Sequence, residues 1–210
     1  MKGKGIIGIK VGMTRIFGDD GTAIPVTVVL AGPCVVLEKK TEDKHGYNAI
    51  KVGFDEVPLE KLNKPERGIF EKLGLDKGYR KIVEFRVNDP KDLEQFEVGK
   101  AYDVSLLDGV EKVNVIGYTK GRGFSGAIKR HGFRRGPVSH GSKNIRDVGS
   151  IGMSTFPAKV IKGKRMPGRY GNERVTVRNL EVVKVMPEDN LVLLKGSVPG
   201  ANGNYIYITF

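Results

Sequence analysis

The sequence contains few residues that could support disulfide chemistry or a membrane span. Cys34 is the single cysteine among 210 residues and tryptophan is absent, so no internal disulfide can form. The longest uncharged run, residues 21–37, is interrupted by two prolines, and the N-terminal apolar run is too short for a secretory signal. We therefore expect a globular cytoplasmic protein, with Cys34 as a small buried apolar residue.

Acidic residues are almost absent from residues 117–174. This stretch contains fourteen Lys and Arg residues but only two acids, Asp147 and Glu173, and its excess of +12 equals the net charge of the whole chain. The remainder carries 22 basic and 22 acidic residues and is neutral. A polycationic segment inside a neutral chain indicates a partner with a dense row of negative charges, such as nucleic acid.

Short runs of β-branched and aromatic residues on both sides of this stretch predict a mainly β protein. We predict strands over 5–17, 22–30, 34–37, 48–54, 83–87, 101–107, 110–118, 175–177, 180–185, 191–195 and 204–210. We interpret 34–37 as a continuation of the second strand, and Asp108-Gly109 as the turn of a hairpin. Because no long helices separate the runs, they favour an antiparallel barrel or sandwich.

Residues 58–80 predict a small helical excursion from the sheet. Pro65 suits a first helical position, Ile69, Phe70 and Leu73 give an apolar face, and Gly74 is a suitable stop. We assign 1–57, 81–118 and 172–210 to one β-barrel, 58–80 to the helical insertion, and 119–171 to an extended basic loop inserted between two barrel strands.

The basic stretch has no apolar periodicity that would give it a core of its own. Twelve of its 58 residues are glycine, and ordering each residue costs roughly 1–2 kcal/mol of backbone entropy, so we expect a partner to order it. We predict one short helical piece, 127–130, and Tyr118 in the core. Phe124, Phe133, Phe156 and Tyr170 could stack on unpaired bases. For Phe124 and Phe133, a small cluster with Ile128 is the alternative.

The basic stretch matches the patterns of two other kinds of site only in part. Residues 121–126 match G-x-G-x-x-G after a predicted strand, but neither a βαβ unit nor an acid at the end of a second strand follows, which argues against a dinucleotide site. His131 and His140 have no third ligand nearby, so hydrogen bonding to RNA is favoured over a metal site. No acid–base pair or cofactor motif is present, so we predict no catalytic residue and no cofactor.

Several ordered motifs resemble the L-three family of bacterial large-subunit ribosomal proteins. They are Gly5 to Thr14, Gly117 to Phe124, Lys129 to Phe133, Gly149 to Gly152, Gly171 to Val177 and Gly196 to Gly200. The similarity spans the full length. It implies a translation-factor-like β-barrel and a structural protein that binds 23S rRNA near its 3′ end and nucleates assembly of the 50S subunit. It also implies that the ribosomal proteins L-fourteen and L-nineteen are neighbours. We expect no interaction with a membrane and no small-molecule substrate.

The resemblance also implies a loop that reaches towards the peptidyl-transferase centre. Its tip falls at Met153, Ser154 and Thr155. Some family members carry a methylated glutamine two residues before the proline of this tip. Thr155 occupies that position here, so we expect the modification to be absent.

The candidate rRNA-binding residues are the basic side chains of the stretch together with two histidines. They are Lys120, Arg122, Lys129, Arg130, His131, Arg134, Arg135, His140, Lys143, Arg146, Lys159, Lys162, Lys164, Arg165, Arg169 and Arg174. Two competing hypotheses are a non-ribosomal RNA chaperone, which would bind unrelated RNAs equally well, and an RNA-modifying enzyme, which would turn over naked rRNA.

Overall fold

Alternating β-branched residues form most of the regular elements of this protein. The structure is a computed structural model that describes residues 3–87 and 89–210. In chain order the elements are β1 (Gly5–Phe17), β2 (Ala23–Ala31), β3 (Cys34–Lys40), α1 (Glu42–His45), β4 (Ala49–Pro58), α2 (Lys64–Lys72), β5 (Lys77–Arg86), α3 (Lys91–Glu94), β6 (Ala101–Tyr102), β7 (Lys112–Tyr118), β8 (Phe124–Ser125), α4 (Ala127–His131), β9 (Gly168–Arg169), β10 (Arg174–Met186), β11 (Leu191–Lys195) and β12 (Tyr205–Thr209). Short 3-10 helices occupy Leu59–Lys61 and Val104–Leu107.

Six strands close into an antiparallel barrel in the order β1, β12, β7, β10, β11, β2. Their β-branched side chains fill a core in which Ile6, Val115, Leu194 and Ile206 are fully buried. This confirms the predicted mainly β fold with an antiparallel barrel. The two predicted runs 175–177 and 180–185 are one strand, β10, with an irregular register against β7 between Val177 and Leu180.

A second sheet, in the order β5, β4, β3, β6, packs against the barrel. The ring of Phe85 in β5 lies where a side chain at Gly5 of β1 would stand, so the two sheets approach closely at this glycine. The prediction that 34–37 continues the second barrel strand is wrong. After Gly32, at φ +79°, the chain leaves the barrel, and β3 pairs with β4 and β6 instead.

The predicted hairpin at Asp108-Gly109 is wrong. Residues 104–107 form a 3-10 helix in which Val104 and Leu107 are both fully buried, because side chains three residues apart share one face of such a helix. The side chain of Asp103 accepts a hydrogen bond from the backbone N–H of Ser105 at 3.0 Å and begins the helix. The polar turn at Asp108 therefore follows a helix rather than joining two strands.

The helical excursion contains α2. Its last turn is followed by Gly74 at φ +67°, as expected for a helix stop. Only Phe70 of the predicted apolar face is buried, whereas Ile69 and Leu73 are 36% and 39% exposed. The chain returns to β structure at Lys77, four residues earlier than the predicted barrel boundary at 81.

Within the described residues, no helix has the length and apolar character needed to span a bilayer.

Residue contacts divide the chain into two units. The first contains the chain up to Tyr118 and Arg174–Phe210, and we call it the barrel unit. The second, Thr119–Glu173, we call the insertion. It begins and ends between β7 and β10, which are neighbouring strands of the barrel.

Candidate nucleic-acid interface

The outgoing and returning segments at the two ends of the insertion pair with each other. Thr119 N–H donates to the carbonyl of Glu173 at 3.0 Å, and Arg122 N–H donates to the carbonyl of Tyr170 at 2.9 Å. Further along, Phe124 of β8 is the register partner of Arg169 in β9. We call this ladder, residues 119–125 and 168–173, the stem. It holds the two arms of the insertion side by side.

A helix and the returning arm are joined directly above the stem. Arg130 Nη1 of α4 donates to the carbonyl oxygen of Met166 at 2.8 Å, and His131 Nε2 lies 3.0 Å from the same oxygen. Because a carbonyl oxygen only accepts, Nε2 carries the proton in this contact. A Cβ atom at Gly168 would collide with the Arg130 guanidinium. We call Arg130, His131, Met166 and Gly168 the clamp.

The outer part of the insertion folds back at two places. Gly136 N–H donates to the carbonyl of Ile145 at 3.0 Å and closes one loop. Residues 150–154 and 158–160 line the same shallow depression, so the chain reverses between them. The predicted tip residues Met153, Ser154 and Thr155 lie at this reversal, and all three are exposed.

All but one of the basic side chains of the insertion are exposed, and none forms an ion pair in the part of the chain that the structure describes. Among the fourteen Lys and Arg residues of 117–174, thirteen are exposed and Arg130 is half-buried. The nine ion pairs found in the described residues all lie in the barrel unit. Because no acid compensates these charges within the insertion, they repel each other and remain available to an external polyanion.

The structure distributes the predicted binding residues along the insertion. Lys120, Arg122 and Arg169 belong to the stem, Lys129 lies on α4, and Arg130 and His131 belong to the clamp. Arg134, Arg135, His140, Lys143 and Arg146 lie between the clamp and the tip on the outgoing arm, Lys159, Lys162, Lys164 and Arg165 lie on the returning arm, and Arg174 begins β10 of the barrel unit.

Two residues of the clamp were missed by sequence reasoning. The Met166 carbonyl is a backbone group, so the pattern of side chains in the sequence does not predict its contact. Gly168 stands in a run rich in glycine, and its role becomes visible only once the Arg130 guanidinium is placed beside it. Both residues contact α4 from a segment more than thirty residues away in the chain. Local sequence patterns do not predict contacts over such a separation.

The structure tests two predictions about aromatic residues. Tyr118 is 43% exposed, so its placement in the core is wrong. Phe124 is 81% exposed, so a cluster of Phe124 with Phe133 and Ile128 is wrong as well. Phe133 instead lies beside the ring of His131, with 5.9 Å between the two ring centres.

The chain is similar to known ribosomal proteins over nearly its whole length. The model of the family described as ribosomal protein L3 matches residues 72–197. Large ribosomal subunit protein uL3 of Petrotoga mobilis is 54% identical over 205 residues, which cover 98% of this chain and 94% of that protein. The proteins of the same name from Thermosipho africanus and Carboxydothermus hydrogenoformans are each 53% identical over 205 residues, covering 98% of this chain and 97% and 96% of those proteins.

These relatives define the class of protein: components of the large ribosomal subunit. The chain belongs to the ribosomal protein L3 family. This confirms the resemblance found in the motifs around the insertion and near both ends of the sequence.

Proposed function

We propose that this protein is a structural, non-catalytic constituent of the large ribosomal subunit that binds 23S rRNA through the insertion. The observation that carries the proposal is the set of exposed, unpaired Lys and Arg side chains on a segment outside the barrel. Membership of the ribosomal protein L3 family supports it independently.

The arrangement suits a polyanion for a thermodynamic reason. Each phosphate that a Lys or Arg neutralises releases condensed counterions, so many separate cations along one chain give strong, salt-dependent binding. Glycines let the backbone come close to phosphates, because they carry no Cβ. A catalytic role would need paired acids and bases, and the insertion contains only two acids, Asp147 and Glu173.

The resemblance supports a more specific proposal. The protein binds near the 3′ end of 23S rRNA, nucleates 50S assembly in the cytoplasm, and neighbours the ribosomal proteins L-fourteen and L-nineteen. Residues 119–171 penetrate the rRNA. The tip at Met153, Ser154 and Thr155 points towards the peptidyl-transferase centre, and its exposure leaves these side chains free for such contacts.

The first experiment asks whether the protein sediments with large subunits and whether it prefers its own rRNA. We expect cosedimentation at moderate salt, and binding to a transcript of the 3′ part of 23S rRNA that is orders of magnitude tighter than to an unrelated RNA of equal length. Equal affinity for the two RNAs would favour an RNA chaperone. Turnover of naked rRNA would favour an RNA-modifying enzyme.

The second experiment tests individual charges. Arg134 and Arg135 are adjacent and exposed, so changing both to Ala is expected to flatten the slope of log affinity against log salt by about 1.5–2 units. The control changes Lys61 and Lys64, two exposed cations of the barrel unit, to Ala and is expected to leave the slope unchanged. An unaltered slope in the first variant would contradict phosphate contacts at Arg134 and Arg135.

A further inference from the structure

Phe124 is an exposed aromatic side chain held at a fixed place. It lies in β8, where the neighbouring Ser125 is buried and donates a hydrogen bond from Oγ to the carbonyl of Arg122 at 3.2 Å. The stem ladder continues on both sides of it. The backbone at Phe124 is thereby fixed, while 81% of the side chain faces solvent.

Two arginines neighbour Phe124 along the stem. Arg169 is the direct cross-strand partner of Phe124, and side chains of such partners stand on the same face of a β ladder, close enough to share a ligand. Two residues before Phe124, the guanidinium of Arg122 lies 5.1 Å from the centre of the half-buried Tyr170 ring. Arg122 and Arg169 are both exposed.

Packing within the protein does not account for the ring. Neither apolar cluster of the described residues includes Phe124, although a phenylalanine ring carries a large apolar area that water solvates poorly. A ligand that complements this site has a flat apolar face for Phe124 and negative charge for the two arginines. An unstacked nucleotide offers both, the base as the flat face and its flanking phosphates as the negative charge.

We propose that Phe124, with Arg122 and Arg169, binds one unpaired nucleotide of rRNA, with the base stacked on the Phe124 ring and the flanking phosphates on the two guanidinium groups. This inference rests on the proposed function, and it names the chemical form of RNA that the stem recognises. A base inside an A-form helix is stacked on both faces and cannot engage the ring, so the site selects a bulge, loop or junction.

The test measures binding of the full-length protein to the 23S 3′ transcript at several salt concentrations. Phe124→Leu keeps an apolar side chain but loses the flat ring, and it is expected to weaken binding about fivefold to a hundredfold. Its salt slope stays at the wild-type value, because no charge is removed. Phe124→Tyr retains the ring and is expected to restore binding to within about twofold. Phe17→Leu, the same substitution at a 68% exposed ring of the barrel unit, is the matched control and is expected to leave the affinity unchanged.

A second readout locates the contact. Ultraviolet crosslinking of the wild-type complex, followed by mass spectrometry, is expected to join a nucleotide to the peptide that contains Phe124. Equal affinity of Phe124→Leu and wild type, or a crosslinked base that is paired in the free transcript, would overturn the inference while rRNA binding stands. Equal wild-type affinity for unrelated RNA would instead overturn the proposed function. Loss of rRNA affinity in Phe124→Tyr as large as in Phe124→Leu would also refute stacking.

Discussion

The barrel unit and the insertion treat charge in opposite ways. In the barrel unit, cations such as Lys40 and Lys195 lie within 2.7 Å of carboxylates, and a large set of apolar side chains is buried in a core. In the insertion no cation forms an ion pair within the described residues, and the elements of regular structure are short. The barrel unit thus pairs many of its charged side chains internally, whereas the insertion leaves its cationic side chains exposed.

The largest expected effect comes from separating the two units. Tyr118 and Arg174 are register partners in neighbouring strands, so an Asn-Gly turn can join them in place of Thr119–Glu173. The barrel is expected to unfold cooperatively near the wild-type temperature, as circular dichroism would show. Affinity for the 23S 3′ transcript is expected to fall at least about a thousandfold. Retained affinity would place the binding surface on the barrel unit.

A pair of truncations compares the apolar side chains of the two units. Ile206 is fully buried in the barrel, so Ile206→Ala is expected to lower the free energy of unfolding by about 2–5 kcal/mol, measured by urea denaturation. Phe156 is 85% exposed near the tip, and Phe156→Ala is expected to change the same quantity by less than about 0.5 kcal/mol. A large loss in the second variant would mean that the tip packs on a folded core.

The clamp provides a double-mutant cycle inside the insertion. Gly168→Ala brings a methyl group against the Arg130 guanidinium, which can move aside by giving up its hydrogen bond to the Met166 carbonyl. The substitution is expected to lower the local opening free energy of the stem by about 0.5–1.5 kcal/mol. Hydrogen exchange of the Tyr170 amide, which donates to Gly123, would report this loss. In an Arg130→Ala background the same substitution is expected to cost less than about 0.5 kcal/mol. Additive effects would show that the guanidinium does not occupy this place.

The matched control for the clamp is Lys129→Ala. Lys129 is on the same helix and exposed, so removing its side chain should leave exchange at Tyr170 unchanged. It should still reduce the salt dependence of RNA binding, since it removes one exposed charge.

The smallest expected effect concerns a carboxylate of the second sheet. Partial burial alone raises the pKa of Glu84, but hydrogen bonds from Lys40 and Tyr47 outweigh it, so the pKa lies below its ordinary value. A lowered pKa stabilises the fold at pH values above the unfolded pKa, and this contribution is lost as the pH falls through the folded pKa.

Tyr47→Phe removes the hydrogen bond that the Tyr47 hydroxyl donates to Glu84 Oε2, 3.0 Å long, and the one that it accepts from Lys40 Nζ, 3.1 Å long. It is expected to cost about 0.5–1.5 kcal/mol of unfolding free energy at pH 7. Urea denaturation at lower pH should show this difference shrinking once Glu84 is protonated. Arg165→Gln in the insertion has no carboxylate partner to lose and should leave the pH profile of unfolding unchanged. A pH-independent cost in Tyr47→Phe would contradict the role of Glu84.

Local sequence patterns predicted those elements whose structure depends on near neighbours. The alternation of 204–210 gave β12, and the helix-forming residues after Gly126 gave α4. The division of strands between two sheets was missed, because the pairing of β3 with β6 joins residues that are far apart in the chain. The clamp was missed for the same reason. The unpaired cations of the insertion, by contrast, could be predicted from the sequence alone, because residues 117–174 contain far more Lys and Arg than Asp and Glu.

The place of β12 in the barrel bears on how the protein is made. This strand lies between β1 and β7, so the first and last barrel strands along the chain are hydrogen-bonded neighbours. A ribosome synthesises the chain from β1 onwards, and the entire insertion has left the exit tunnel before β12 is available to complete the hydrogen bonding of β1. The cationic insertion is therefore complete while the barrel that carries it is still open, so the last strand to be made is the one that closes the barrel.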